Sequence, residues 1–264
     1  SAQYCRLDDL GLHAELLQGL RDALGTTGGV ILLTGPAGSG KTTTAYACLR
    51  EIVEQTGGTR NVVSLEDPVE VVLQGVAQSQ VRPEQGFDLA TGLRSLLRQD
   101  PEVIFVGEIR DRSVAEVVFQ ASLSGHLVIT TFHAGSAVEA VCRLSDLGIE
   151  PFVLRSSLRL VVGQRLFRKL CECSPQGESG IRGCAKCAGT GFLGRFVLAE
   201  MLVPGESQLA RKILDRVDAP ELEQVAREAG FISLEEWAKQ AVEQKRTTSE
   251  EVFRVLGRKT QSGN

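Results

Sequence analysis

The sequence predicts an α/β fold with a mostly parallel sheet. Two observations carry that prediction. Short apolar runs at 30–33, 103–106 and 127–131 alternate with segments whose apolar residues recur at helical spacing. Polar clusters follow the runs: a glycine-rich loop after the first, and acidic residues at 66–70 and at Glu108. In a parallel sheet the carboxyl ends of the strands are where ligands bind.

Residues 1–28 contain a helix with Leu10, Leu12, Leu16, Leu17 and Leu20 as its apolar stripe, broken by Gly-Thr-Thr-Gly-Gly at 25–29. The strand at 30–33 runs into Gly35, four residues, Gly40, Lys41 and Thr42, the spacing of a phosphate-binding loop. A helix over 43–53 follows, with Ala45, Cys48, Leu49 and Ile52 on one face. The strand at 61–65 ends in Glu66-Asp67-Pro68-Val69-Glu70, because Pro68 cannot continue a central strand.

Residues 78–81 read as a short edge strand and 88–98 as a helix through Leu89, Leu93, Leu96 and Leu97. The strand at 103–106 ends in Gly107-Glu108, and a helix covers 113–124. His126 and His133 bracket the strand at 127–131, and 138–147 is helical. Residues 152–170 read as a helix through Val153, Leu154, Leu158, Leu160, Val161 and Leu166. The stretch 171–195 is rich in Gly and Cys, and 206–258 is mainly helical with a break near Gly230. No fixed-period repeat and no low-complexity segment is present.

A chain of 264 residues, 42% hydrophobic, makes one large domain or two modest ones with a sizeable core. Its net charge of −4 argues against a nucleic-acid partner, which needs a basic face. No run approaches the ~18 apolar residues that span a bilayer. The sequence begins at Ser1 without an initiator Met, as a processed chain or an excised fragment does. Of seven cysteines, Cys5, Cys48 and Cys142 are scattered, while Cys171, Cys173, Cys184 and Cys187 are clustered. Beside a nucleotide-binding loop, clustered thiols suggest metal rather than disulfides.

The residue types fit their positions. Gly35, Gly38 and Gly40 let backbone wrap a polyphosphate, and the amides around Pro36, Ala37 and Ser39, with the helix start at Thr43, aim positive dipole at it. Lys41 places a charge at the β- and γ-phosphates, and the Thr42 hydroxyl reaches Mg2+. Glu108, at the end of a buried strand, is placed to hold Mg2+ or orient the attacking water. Glu66, Asp67 and Glu70 repel one another unless a cation sits among them; a solvated acidic loop is the alternative. His126 and His133 point to opposite faces of a regular strand, so they do not share a metal. One of them senses the γ-phosphate or contacts a neighbouring subunit, or each is a hydrogen-bonded structural histidine. Four thiolates make a tetrahedral zinc site, and Cys184-Ala-Lys-Cys187 has zinc-knuckle spacing; a free-thiol hairpin is the alternative.

Four stretches, 35–42, 64–70, 96–111 and 124–133, resemble the four signature boxes of the secretion ATPase superfamily. Within it the chain resembles the assembly ATPases of type II secretion systems and type IV pili. Gly-Ile-Glu-Pro-Phe at 148–152, Gln164-Arg165-Leu166, the cysteine cluster and Gly191-Phe-Leu-Gly-Arg195 leading to Glu200 add to the likeness, which covers residues 7 to 258. The resemblance implies a RecA-like P-loop NTPase core, a hexameric ring and ATP held between subunits. It maps Lys41 and Thr42 to the phosphate loop, Glu66, Asp67 and Glu70 to the aspartate box, Glu108 to the catalytic glutamate, and His126 and His133 to the histidine box. It makes Arg60 an arginine acting across the subunit interface, with an ordinary surface arginine as the alternative.

The implied organisation is a linker at 1–25 left from an upstream domain, an ATPase core at 26–168, a small Cys-rich metal-binding subdomain at 169–197 and a C-terminal helical region at 198–264. Cys171-Glu-Cys173 is one residue tighter than the family's Cys-x-x-Cys. The implied function is an ATP-hydrolysing motor for pilus or pseudopilus assembly, using ATP, Mg2+ and Zn2+. It is expected in the cytoplasm, peripheral at the inner membrane, bound to platform proteins there and not to nucleic acid. The rival classes are a nucleotide-bound scaffold with little turnover and a nucleic-acid motor.

Overall fold

A computed structural model describes residues 6–174, 183–205 and 208–257. Cys5, the first residues of the expected linker, and parts of the Cys-rich and C-terminal stretches lie outside the described residues. The chain forms one seven-stranded sheet in the order β3-β2-β4-β5-β1-β6-β7. The strands are β1 (Gly29–Thr34), β2 (Val62–Glu66), β3 (Ala77–Gln80), β4 (Val103–Val106), β5 (Leu127–Phe132), β6 (Leu158–Leu170) and β7 (Phe192–Leu202). All pairings are parallel except β6 with β7.

Helices cover both faces, as parallel strands require. On one face, α1 (Ala14–Leu24) and α2 (Lys41–Thr56) bury Leu16, Leu20, Leu49 and Ile52 against Ile31, Leu33 and Phe105. On the other, α3 (Leu89–Leu96), α4 (Arg112–Leu123) and α5 (Ala137–Asp146) pack on Val30, Leu32, Ile104 and Val106. Alternate residues of β1 and β4 thus feed opposite cores, which is the period-two rule of a strand buried on both faces. α6 (Pro151–Ser157), α7 (Gln208–Leu214) and α8 (Ala219–Glu228) lie on the α5 side. α9 (Leu234–Glu243) and α10 (Ser249–Leu256) close a third cluster with Phe167, Phe196 and Leu198 of the β6–β7 arm.

Most helix starts are written in the sequence. Asp88, Asp111, Ser136, Asp218, Ser233 and Thr248 each accept a backbone N–H from the first turn of the following helix. The segment from Leu7 to Leu24 is built into the core, with Leu7, Leu16 and Leu20 fully buried.

One expectation is corrected. Residues 152–170 are not one helix: α6 stops at Ser157 and the rest is β6, paired along β1. A strand buried on both faces shows a continuous apolar run, which periodicity cannot separate from a buried helix. The β-branched pair Val161-Val162 favours the strand, and the following Gly163 disfavours a helix. β7 likewise crosses the position where the Cys-rich and helical regions were expected to meet, so the cysteines sit at the tip of a long hairpin arm. Among the described residues, no helix is long and apolar enough to cross a membrane.

Candidate nucleotide and metal sites

The loop 35–40 leaves the carboxyl end of β1 and enters α2 through Gly40, whose φ of 93° is left-handed. A Cβ on Gly35 would lie 2.5 Å from Gln164 O and 2.6 Å from Ser39 Oγ, so only glycine lets the loop fold against β6. The first amides of α2 have no intrahelical acceptor and face the loop's mouth. Lys41 Nζ donates to Gly35 O at 2.8 Å and to Pro36 O at 2.9 Å. Burial pushes its ammonium below the usual lysine range, and the charge of Glu108 opposes that shift.

The acidic residues converge on the same sheet edge. Glu66 ends β2, and its buried carboxylate accepts from the Tyr46 hydroxyl, from Ser64 Oγ and from Gln78 Nε2. The Tyr46 hydroxyl also accepts the Glu70 N–H at 3.2 Å. Burial, then the bond to Glu66, pushes the Tyr46 hydroxyl up to about 12, so it remains a donor. Glu108 follows β4, whose tip is fixed by Gly107 N–H donating to Leu65 O at 2.9 Å and by Thr131 Oγ1 donating to Gly107 O at 2.7 Å. Arg110 spans two of these carboxylates, 3.1 Å from Glu108 and 3.0 Å from Asp67. The Glu70 side chain is exposed.

The two histidines part company. His133 lies just beyond the carboxyl end of β5, on the edge that carries the phosphate loop. Its carbonyl accepts Arg143 Nη1 at 2.6 Å. His126 lies at the opposite end, about 20 Å away along the strand. Its Nδ1 sits 2.9 Å from Ala121 O and 3.1 Å from Ser124 Oγ. It does not face this chain's own phosphate loop. Arg60 is at that far end too. Its guanidinium donates to Leu24 O at 3.2 Å and Thr26 O at 3.3 Å, with Nε 3.6 Å from Glu102. The side chain is 17% exposed, with its guanidinium against the backbone carbonyls around the end of α1.

Sequence reasoning gave no role to two loop-bracing residues. Gln164 Nε2 donates to Ser39 O at 2.9 Å, and Arg165 Nη2 donates to Gly135 O at 2.6 Å. Had 158–170 been read as a strand, this polar pair inside an apolar run would have marked the sheet edge. A cavity of about 340 Å³ opens beside the loop between Gly40, Thr43, Leu10, Leu166 and Phe196.

The residues fit a magnesium nucleotide. Ser39 Oγ, in the phosphate-type loop, is buried with no hydrogen-bond partner. Lys41 supplies the cation for phosphate, while Thr42, Asp67 and Glu108 are the oxygen donors that Mg2+ prefers, with Glu66 buried behind them.

The cysteines fit a zinc ion. Cys171 to Cys184, Cys173 to Cys187 and Cys184 to Cys187 are separated by 3.9, 3.7 and 3.8 Å between sulfurs, and all four lie within 4.8 Å of one another. Tetrahedral zinc with bonds of about 2.3 Å sets its sulfurs about 3.8 Å apart, whereas a disulfide needs about 2.05 Å. The Cys184 and Gly191 N–H groups donate to Cys187 Sγ at 3.1 and 3.3 Å. They pull the Cys187 thiol below its usual value, toward the thiolate a metal takes. Burial instead raises Cys173.

Comparison with known proteins places this geometry among relatives. The model of the type II/IV secretion system protein family matches residues 1–254. The chain is 42% identical over 253 residues to the type II secretion system protein HxcR of Pseudomonas aeruginosa, covering 95% of this chain and 53% of that one. It is 36% identical over 269 residues to the type IV pilus assembly ATPase PilB of Thermus thermophilus, covering 94% of this chain and 30% of that one. The chain thus spans about half the length of HxcR, and less of PilB. Among solved structures it resembles the Legionella pneumophila ATPase DotB, at TM-score 0.72 and 25% identity over 93% of this chain and 63% of that one. It also resembles the pilus retraction motor PilT with bound ADP, at TM-score 0.71 and 26% identity over 94% of this chain and 66% of that one.

Proposed function

The chain belongs to the type II/IV secretion system protein family, and from that premise we propose that it is the ATP-hydrolysing part of a motor that powers pilus or pseudopilus assembly. The observation that carries the reading is the meeting of Lys41, Glu108 and Glu66 on one sheet edge, with Glu108 close enough to bias the charge of Lys41. Lys41 and the first amides of α2 neutralise the phosphates; Glu108 orients the attacking water; Glu66, held rigid by Tyr46, Ser64 and Gln78, fixes the acidic wall. Mg2+, held by Thr42 and the facing carboxylates, supplies charge neutralisation of the phosphoryl oxygens when bound. The apolar cavity beside Leu166 and Phe196 takes the base.

His133, on the loop edge, senses the γ-phosphate. His126 and Arg60, at the other end of the strands, serve structural contacts in this reading. Cys171, Cys173, Cys184 and Cys187 hold a structural zinc that ties off the hairpin arm. The working unit is a hexamer in the cytoplasm, attached to the inner membrane through platform proteins.

The test is ATP hydrolysis against protein concentration, with light scattering in parallel. A rate per chain that climbs with assembly supports the ring motor. A concentration-independent absence of turnover, with tight nucleotide binding, supports a scaffold instead.

A further inference from the structure

Glu200 lies on β7 with its carboxylate buried at 2% exposure. One oxygen accepts the Ala137 N–H at 2.6 Å, and the other accepts the Leu234 N–H at 2.9 Å. Ala137 opens α5 and Leu234 opens α9. One carboxylate therefore fastens two helix starts that belong to different parts of the molecule. α5 follows directly from the loop carrying His133, and α9 packs under the β6–β7 arm. The carboxylate lies close over β6: a Cβ on Gly163, the register partner of Glu200, would lie 2.6 Å from Glu200 Oε1.

The same loop is pinned again from β6. Arg165 Nη2 holds Gly135 O, and Arg165 Nη1 holds Gln164 O at 3.0 Å, next to the Gly35 turn. We infer that Glu200 is a positioning residue: its carboxylate locks α9 to the His133 loop, so that displacement of the C-terminal helices reaches the nucleotide site. This inference rests on the nucleotide-hydrolysing reading for its kinetic consequence, though not for the tie itself.

Both oxygens accept only while the group is a carboxylate. A proton turns one oxygen into a donor facing an N–H, and one of the two ties is lost. Burial pushes the Glu200 carboxyl up to about 7, against its N–H bonds and Arg165. The charged groups around it are Arg165 on β6 and Glu223 on α8. On the capped helices, Glu139 is engaged by Gly135 N–H and Arg143, and Glu236 by Ser233 and Arg227.

The experiment compares the wild-type chain with Glu200→Gln and Glu200→Asp. Hydrogen exchange at residues 135–139 and 233–237 is followed from below to above neutral pH, corrected for the intrinsic pH dependence of exchange. Because burial outweighs the two N–H bonds, the wild type loses protection in both segments together as pH rises from 4.5 through about 7. Both variants lose protection in both segments and show no such step. In hydrolysis assays kcat falls about tenfold, from misplacement of the His133 loop, while KM for ATP stays within about twofold. Independent exchange of the two segments, or variants with wild-type protection and kcat, would overturn the inference. A wild type with no turnover would count against the hydrolytic reading alone, because the exchange measurement still decides the tie.

Discussion

Arg110 Nε lies 3.1 Å from Glu108 Oε2, and the same guanidinium reaches Asp67 through Nη1 at 3.0 Å. An arginine thus occupies the gap between the two carboxylates best placed to meet Mg2+. Both pairs are substantially exposed, so each is worth only about 0.2–1 kcal/mol. That is enough to compete with a cation without excluding it. Replacing Arg110 with Ala should lower the Mg2+ concentration that half-saturates nucleotide binding by about twofold to fivefold. A magnesium titration with a fluorescent ATP analogue reads this directly. An unchanged midpoint would mean that Arg110 does not compete for the carboxylates.

Tyr46 and Glu66 form a buried polar contact of the site. Removing the hydroxyl leaves a buried carboxylate short of one donor. Tyr46→Phe should cost about 1.5–3 kcal/mol, the range for a hydrogen bond to a charged group. Urea unfolding of the variant beside the wild type measures the loss. A variant as stable as the wild type would place Glu66 in contact with water rather than in the core.

Gln164 braces the phosphate loop through Ser39 O. Gln164→Ala removes one hydrogen bond worth about 0.5–1.5 kcal/mol and should weaken nucleotide binding about twofold to tenfold. Equilibrium binding of a labelled ADP is the measurement. Undiminished affinity would show that the loop holds its shape without β6.

Two buried carboxylates give opposite pH dependences. Glu251 on α10 is desolvated, which alone would raise it, but bonds from Arg254 and Arg168 hold it down at about 2. Its folded value is below the usual 4.5, so the stability it contributes is present above 4.5 and is lost as pH falls toward 2. Glu200 is raised to about 7, so its contribution is full below 4.5 and is lost as pH rises through 7. Melting temperature against pH should therefore flatten on the acid side in Glu251→Gln and on the neutral side in Glu200→Gln. Unaltered slopes would contradict the assignment of these groups.

The cysteine cluster predicts a single bound zinc ion, released by thiol-reactive mercurials and absent from Cys187→Ser. Cobalt in its place should give the intense sulfur-to-metal absorption of a tetrathiolate site. A zinc-free chain with all four thiols titratable would leave the free-thiol hairpin.

Much of the sheet edge was legible in the sequence because its signals are local. Gly35 and Pro68 each mark where a strand must end, and Gly40 marks where the loop enters α2. Glu108 follows an apolar run too short to be anything but a buried strand. What was not legible depends on pairing. β6 is buried on both faces, so it shows neither helical nor alternating periodicity, and its role next to β1 comes only from tertiary contact. Gln164, Arg165 and Glu200 all sit on that hairpin arm and share its fate. The strand ends that His126 and Arg60 occupy were legible, since one precedes the run at 127–131 and the other the run at 61–65, but the backbone carbonyls that each side chain meets there come only from tertiary packing.

The most direct test of the composite site is a paired measurement on Glu108→Gln: ATP affinity and single-turnover hydrolysis on the same preparation. With Glu108 orienting water and not holding phosphate, the variant binds ATP within about threefold of the wild type while hydrolysis falls on the order of 10²–10⁴-fold. Hydrolysis at the wild-type rate in the variant would contradict that role and move the chemistry to another residue of the sheet edge.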